Sequence, residues 1–184
     1  MKSLQSAAMG FVFVALYARF HGYDAYADPF GWLLVLLGVR RLPPETPLRS
    51  AMLATGALTL AVSVPLWLPE VRERVADLDA SVGWSADLPA FALVALLCHG
   101  LAEAATTAGD ERPARWLRLV RTAVVVVALL PVVVFGGGVE SLSSTAALAA
   151  QLLYVALVWL LFSCSGRVWA GGPGPRVASA AERM

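Results

Sequence analysis

Long apolar runs separated by short polar joints dominate this chain. They predict helices at about Leu4 to Phe20, Pro29 to Leu42, Ser50 to Trp67, Leu88 to Ala105, Trp116 to Phe135 and Thr145 to Ser165. Most approach the roughly 20 residues that a helix needs to cross a bilayer core. The runs are continuous, whereas a transmembrane barrel would alternate apolar and polar at every second residue. The expected fold is therefore all-α, a polytopic membrane helical bundle of about six transmembrane helices. The second run is the shortest: fourteen residues rise only ~21 Å, against a core of ~30 Å. Full crossing, local thinning and a re-entrant path all remain open for it.

Charge sorts itself by side along these runs. Lys2, Arg40, Arg41, Arg49, Arg112, Arg115, Arg118, Arg121, Arg167, Arg176 and Arg183 fall at one set of ends. Asp24, Asp28, Glu70, Glu73, Asp77, Asp79, Asp87 and Glu140 fall at the other. Basic residues in short loops stay cytoplasmic during insertion, so the pattern predicts cytoplasmic N- and C-termini and a bacterial cytoplasmic-membrane location. Tyr17, Tyr23, Tyr26, Trp32, Trp67 and Trp84 gather at the expected outer boundary, and Trp116 and Trp169 at the inner one. Amphipathic rings favour that interfacial depth, which supports the same registration.

The joints add detail. Between Pro69 and Asp87, the residues Val71, Val75, Leu78 and Val82 recur at helical spacing among charged neighbours. They predict a short amphipathic helix on the outer surface, either a lid or an acidic docking face for an extracytoplasmic protein or cation. Residues 1–165 form one transmembrane domain on this reading, and residues 166–184, with Gly171-Gly172-Pro173-Gly174-Pro175, a disordered cytoplasmic tail. Lys2, the apolar run and Ala25-Tyr26-Ala27 also have the order of a secretory signal. Arg19, His21 and Asp24 make a charged approach to that site, which favours retention as the first span. Glu45-Thr46-Pro47-Leu48-Arg49 and Glu111-Arg112-Pro113-Ala114-Arg115 share Glu-x-Pro-x-Arg, and Pro65 and Pro131 stand at the same offset. Three repeated hairpins and coincidence both account for this.

Composition supports the membrane class. Apolar residues make up 59% of the 184 and charged residues 15%, with mean hydropathy +0.71; a soluble domain carries about 25% charge. Lys2 is the single lysine among fourteen basic residues, a bias of GC-rich bacterial genomes that does not indicate phosphate recognition. No basic patch interleaved with aromatics points to nucleic acid. Cys98 and Cys164 lack ligand or redox spacing and read as buried thiols. The zinc, serine-hydrolase and phosphate-loop motifs are absent, so no enzyme activity and no cofactor are expected.

Ionisable groups inside a membrane are costly, so they are the candidate sites. His99 and Glu103 lie four apart on one helix face, the spacing of a proton relay or cation site, with Gln151 of the last span as a third polar group. The structural alternative pairs Glu103 with Arg118 or Arg121 and leaves His99 bonded to a neighbouring helix. At the outer turn, Arg19, His21, Asp24 and Asp28 offer two carboxylates and an imidazole, or else a capping cluster. Ala51, Thr55, Thr59 and Ser63 line one face of the third span at every fourth position, which suits close packing.

The stretch Tyr23-Asp24-Ala25-Tyr26-Ala27-Asp28-Pro29-Phe30-Gly31-Trp32 resembles a segment of small bacterial membrane proteins, actinobacterial ones among them. In these an aromatic-Asp, an Asp-Pro and a Gly-aromatic pair lie between the first two spans. The resemblance covers about the first forty residues, with Asp24, Asp28, Gly31 and Trp32 as matched positions, and implies a multi-pass membrane protein without an assigned activity. Two functions are then expected. One is an accessory or scaffold protein in the bilayer, with a membrane or extracytoplasmic protein, or a second copy, as partner. The other is a small proton- or cation-coupled transporter or channel that uses His99 and Glu103. A polar cavity shared by His99, Glu103 and Gln151 or Thr59 favours transport; a dry interface with an arginine favours the scaffold.

Overall fold

The computed structural model describes residues 2–15, 19–20, 23–24, 28–78, 80–137 and 143–172. The fold is all-α. Its helices are α1 (Ser3–Ala15), α2 (Asp28–Arg40), α3 (Arg49–Leu66), α4 (Pro69–Leu78), α5 (Ala80–Thr107), α6 (Glu111–Gly137) and α7 (Ser143–Cys164), followed by a 3-10 turn at Val168–Ala170. Among the described residues the only extended pairing is a two-residue antiparallel ladder, β1 (Arg19–Phe20) with β2 (Tyr23–Asp24), in register Arg19 to Asp24 and Phe20 to Tyr23.

The six long helices form a closed ring. Leaving out α4, each helix packs antiparallel on the next, and α7 returns to pack on α1. One end of the ring carries Arg40, Arg41, Arg49, Arg112, Arg115 and Arg167, and is called the basic end; Asp28, Glu70 and Asp87 mark the acidic end. The sorted charges of the sequence thus coincide with two physical ends of one bundle.

Two helices, Arg49–Leu66 and Ser81–Thr107, are long and apolar enough to cross a membrane among the described residues. They rise about 27 Å and 40 Å. Helix α1 and helix α2 have thirteen residues each, or ~20 Å. Several boundaries differ from those expected, among them the start of α6 at Glu111 where about Trp116 was expected. The first run was expected to stay helical to Phe20, but α1 is helical over Ser3–Ala15 and Arg19 and Phe20 are extended, paired with Tyr23 and Asp24. The fourth run was expected to begin at Leu88, yet α5 starts at Ala80 and carries Pro89 inside it. Proline at 89 forfeits one backbone bond in the helix but does not start it. Val82, Trp84 and Asp87 thus belong to α5 and not to the outer connection with its amphipathic helix. The amphipathic segment is shorter than its apolar spacing suggested, and α4 rests on α3 and α5 with Val71 and Val75 half-buried.

The core fills the basic half of the ring. Leu4 and Phe11 of α1, Val35 and Val39 of α2, Leu97 and Leu101 of α5, Leu117 of α6 and Leu161 of α7 are buried together. Closure of α1 on α2 depends on small residues. A methyl group added at Gly38 would lie 2.7 Å from the Ala7 nitrogen and the Ser3 carbonyl, and one at Gly31 would lie 2.8 Å from the Gly10 carbonyl. Small residues let two backbones approach in this way. Phe11 then meets Trp32 edge-on at 5.9 Å and Tyr154 at 5.7 Å, linking α1 to both neighbours.

The turn from α5 to α6 is equally specific. The Gly109 nitrogen donates to Thr106 and the Asp110 nitrogen to Ala105; with Gly109 at φ 75°, this is a Schellman ending.

These contacts set a stability contrast. Gly38→Val should cost about 1–3 kcal/mol through overpacking at backbone distance. Gly83→Ala in α5 meets nothing within 4 Å and should stabilise by up to about 1 kcal/mol. Thermal unfolding of the detergent-solubilised protein checks both; equal effects of one sign would contradict the packing described.

Candidate functional site

Polar groups gather at two places, one at each end of the ring. At the basic end α5 and α6 are joined side by side. Arg118 Nη2 donates to Thr106 Oγ1 at 2.6 Å, and Arg121 Nη1 to His99 Nδ1 at 2.8 Å. A guanidinium has no acceptor, so Nδ1 of His99 must accept. Glu103, one turn further along α5, is half-buried and forms no ion pair with Arg118 or Arg121 among the described residues. Gln151 is exposed on α7. His99 and Glu103 therefore share a face as their spacing required, while Gln151 lies apart from them.

An acid that sequence reasoning passed over holds this end together. Asp110 Oδ2 receives Arg167 Nη1 at 3.1 Å and the indole nitrogen of Trp169 at 3.2 Å. Ser3 donates to the carbonyl of Ala170. The segment after α7 is thereby tied to the α5–α6 turn and to α1, which completes the ring closure. Asp110 stood just after Gly109 and before α6, where an aspartate ordinarily suggests a helix cap.

At the acidic end a pocket of about 340 Å³ opens between α2, α3, α4 and α5. Its polar lining is Asp28, Thr59, Ser63, Arg72 and Asp87. Arg72 of α4 reaches Asp28 at 3.6 Å, both groups remaining partly exposed. Thr59 and Ser63 satisfy their hydroxyls on the Thr55 and Leu60 carbonyls of their own helix, so they line the pocket without being strained by it. The every-fourth-residue stripe of α3 was the sequence signal for this wall; Arg72 and Asp87 gave none, because their partners come from other helices.

The outer cluster expected from the first turn is only partly assembled. Arg19 and Asp24 are backbone partners, Asp28 is drawn to Arg72, and His21 lies outside the described residues. Among the described residues no group of three or more His, Cys, Asp or Glu could hold a metal ion. Gly31 and Trp32, from the same stretch, make the α1–α2 contact, with Trp32 buried against Phe11.

A second, larger cavity is apolar. It is a cleft of about 880 Å³ walled by α1, α2, α5, α6 and α7, with Phe91, Tyr154 and Trp159 among its lining residues. Neither cavity includes His99 or Glu103. The buried hydroxyl of Tyr154 has no hydrogen-bond partner among the described residues, an uncommon state for such a group.

The chain matches no family model, and no curated protein or solved structure is significantly similar to it. What it does must be read from its own geometry.

The basic-end network has a measurable consequence. Asp110→Ala removes a partly exposed ion pair and an indole bond, and should lower stability by about 1–2 kcal/mol. Asp110→Asn keeps an acceptor for Trp169 and should cost less. Unfolding curves for the two variants, with Trp169 fluorescence as a local readout, decide this; identical losses would mean that Trp169 does not use the Asp110 oxygen.

Proposed function

We propose that this is a multi-pass protein of the bacterial cytoplasmic membrane, non-enzymatic and of accessory or scaffold type, with both termini cytoplasmic. The supporting observation is the state of its apolar surface. Only 17% of the membrane-length window in α3 is buried within the protein. Leu152, Val155 and Trp159 of α7 are 72%, 68% and 66% exposed, and Leu58, Leu119 and Leu129 are also open. A water-soluble domain rarely leaves so much contiguous apolar surface uncovered. Lipid covers it at no such cost, and the two separated ends of charge then lie in the two headgroup regions.

The scaffold reading is preferred to transport because His99 meets Arg121 inside the α5–α6 interface. A relay histidine must exchange its proton with water or another titratable group, whereas a guanidinium offers only donors. His99 is then a joint between helices. The short α1 and α2 fit a locally thinned bilayer with snorkelling flanks, an adjustment of modest cost.

Topology can be tested with single cysteines on a background lacking Cys98 and Cys164. A cysteine at Glu73 should react with a membrane-impermeant maleimide in intact spheroplasts; cysteines at Glu45 and Glu111 should react only after permeabilisation. Labelling of all three in intact spheroplasts would overturn the orientation. For the joint, His99→Ala should destabilise by about 1–3 kcal/mol by stranding Arg121. Wild-type and Glu103→Gln unfolding should respond alike to protons and cations. A cation-specific stabilisation lost in Glu103→Gln would overturn the scaffold reading in favour of transport.

A further inference from the structure

The polar pocket and the apolar cleft are neighbours. Trp32, Asp87 and Ala90 line both, so the cavities meet along one wall near the acidic end of α5. The side chain that stands between them at residue 90 is only a methyl group. We propose that pocket and cleft together bind one amphiphile, with a cationic amine head beside Asp87 and a long apolar chain in the cleft.

Shape and charge each restrict the occupant. The cleft volume lies in the range of roughly 300–1,000 Å³ typical of small-molecule sites, and five helices supply apolar walls for a chain. The pocket has two carboxylates, Asp28 and Asp87, against the single guanidinium of Arg72. Arg72 pairs with Asp28 and also acts on Asp87, so one guanidinium faces two carboxylates and the excess negative charge is shared across the pocket, with Asp87 at the junction. A cationic head complements that excess, whereas a sulfate or phosphate monoester would add to it. The chain alone gives little selectivity, since leaving lipid for an apolar cleft exchanges one hydrocarbon environment for another. Recognition must therefore come from the head.

The site rests on the membrane reading for delivery of the ligand, so the test separates the two. Protein in phosphatidylcholine nanodiscs is titrated with dodecylamine and dodecyl sulfate carrying brominated chains, and quenching of tryptophan fluorescence is followed; Trp32 and Trp159 are at the cleft wall. The amine should quench saturably, and the sulfate only in proportion to its amount in the bilayer. Asp87→Asn should weaken the amine about tenfold, the loss expected for one charge-assisted contact. Ala90→Leu should abolish saturation by filling the junction, and it keeps the proposal testable should Asp87→Asn fail to fold. Equal quenching by amine and sulfate, or unchanged affinity in both variants, would overturn the site. So would cross-linking that places a second copy of the chain in the cleft. Release of the protein from membranes by alkaline carbonate would instead sink the membrane reading.

Discussion

The close seam between α1 and α2 is the contact on which the ring depends. Glycines at 10, 31 and 38 bring two backbones to a separation that any side chain would prevent. At that distance Phe11 reaches Trp32 on one side and Tyr154 on the other, and α1 can bridge α2 and α7. A wider seam would open the ring between its first and last helices. Dispersion between tightly fitted surfaces is the main attraction available when the surroundings are themselves apolar. In the bilayer proposed for this protein, small residues at the seam add close backbone contact to the packing of the larger apolar side chains.

Polar groups follow a complementary logic at the two ends. At the basic end they are spent on joining elements: Arg121 to His99, Arg118 to Thr106, and Asp110 to both Arg167 and Trp169. That half of the ring is also where the apolar core is fully packed. Towards the acidic end the packing loosens into a polar pocket and an apolar cleft that share a wall. A firmly knitted half beside a half with room in it is an arrangement suited to holding a ligand or partner at one face.

Much of the architecture could be read along the chain, and some of the candidate chemistry could not. Hydrophobic runs located every long helix, and the sorted charges anticipated the two ends. The same rules misjudged where α1 stops and where α5 and α6 start. The apolar run continues to Phe20, although Arg19 and Phe20 are already paired in a ladder, and Val82 belongs equally well to a surface helix or to a longer one. His99 and Glu103 were recognisable from spacing because neighbours four apart on a helix share a face. The link from His99 to Arg121 crosses between helices; the sequence suggested a neighbouring helix for His99 but offered the two arginines to Glu103.

The sequence by itself determined the all-helical class, the order of the apolar segments and the end at which most of the charges gather. These are properties of single segments, set by composition and periodicity along a few turns. Only the tertiary structure decided that the helices close into a ring, that Asp110 clamps the segment after α7, and that Asp28, Arg72 and Asp87 meet around one pocket. Each of these joins residues from different helices, and their proximity follows from how closely the backbones pack. That closeness is governed by the shape of whole surfaces, which no local pattern of residues records.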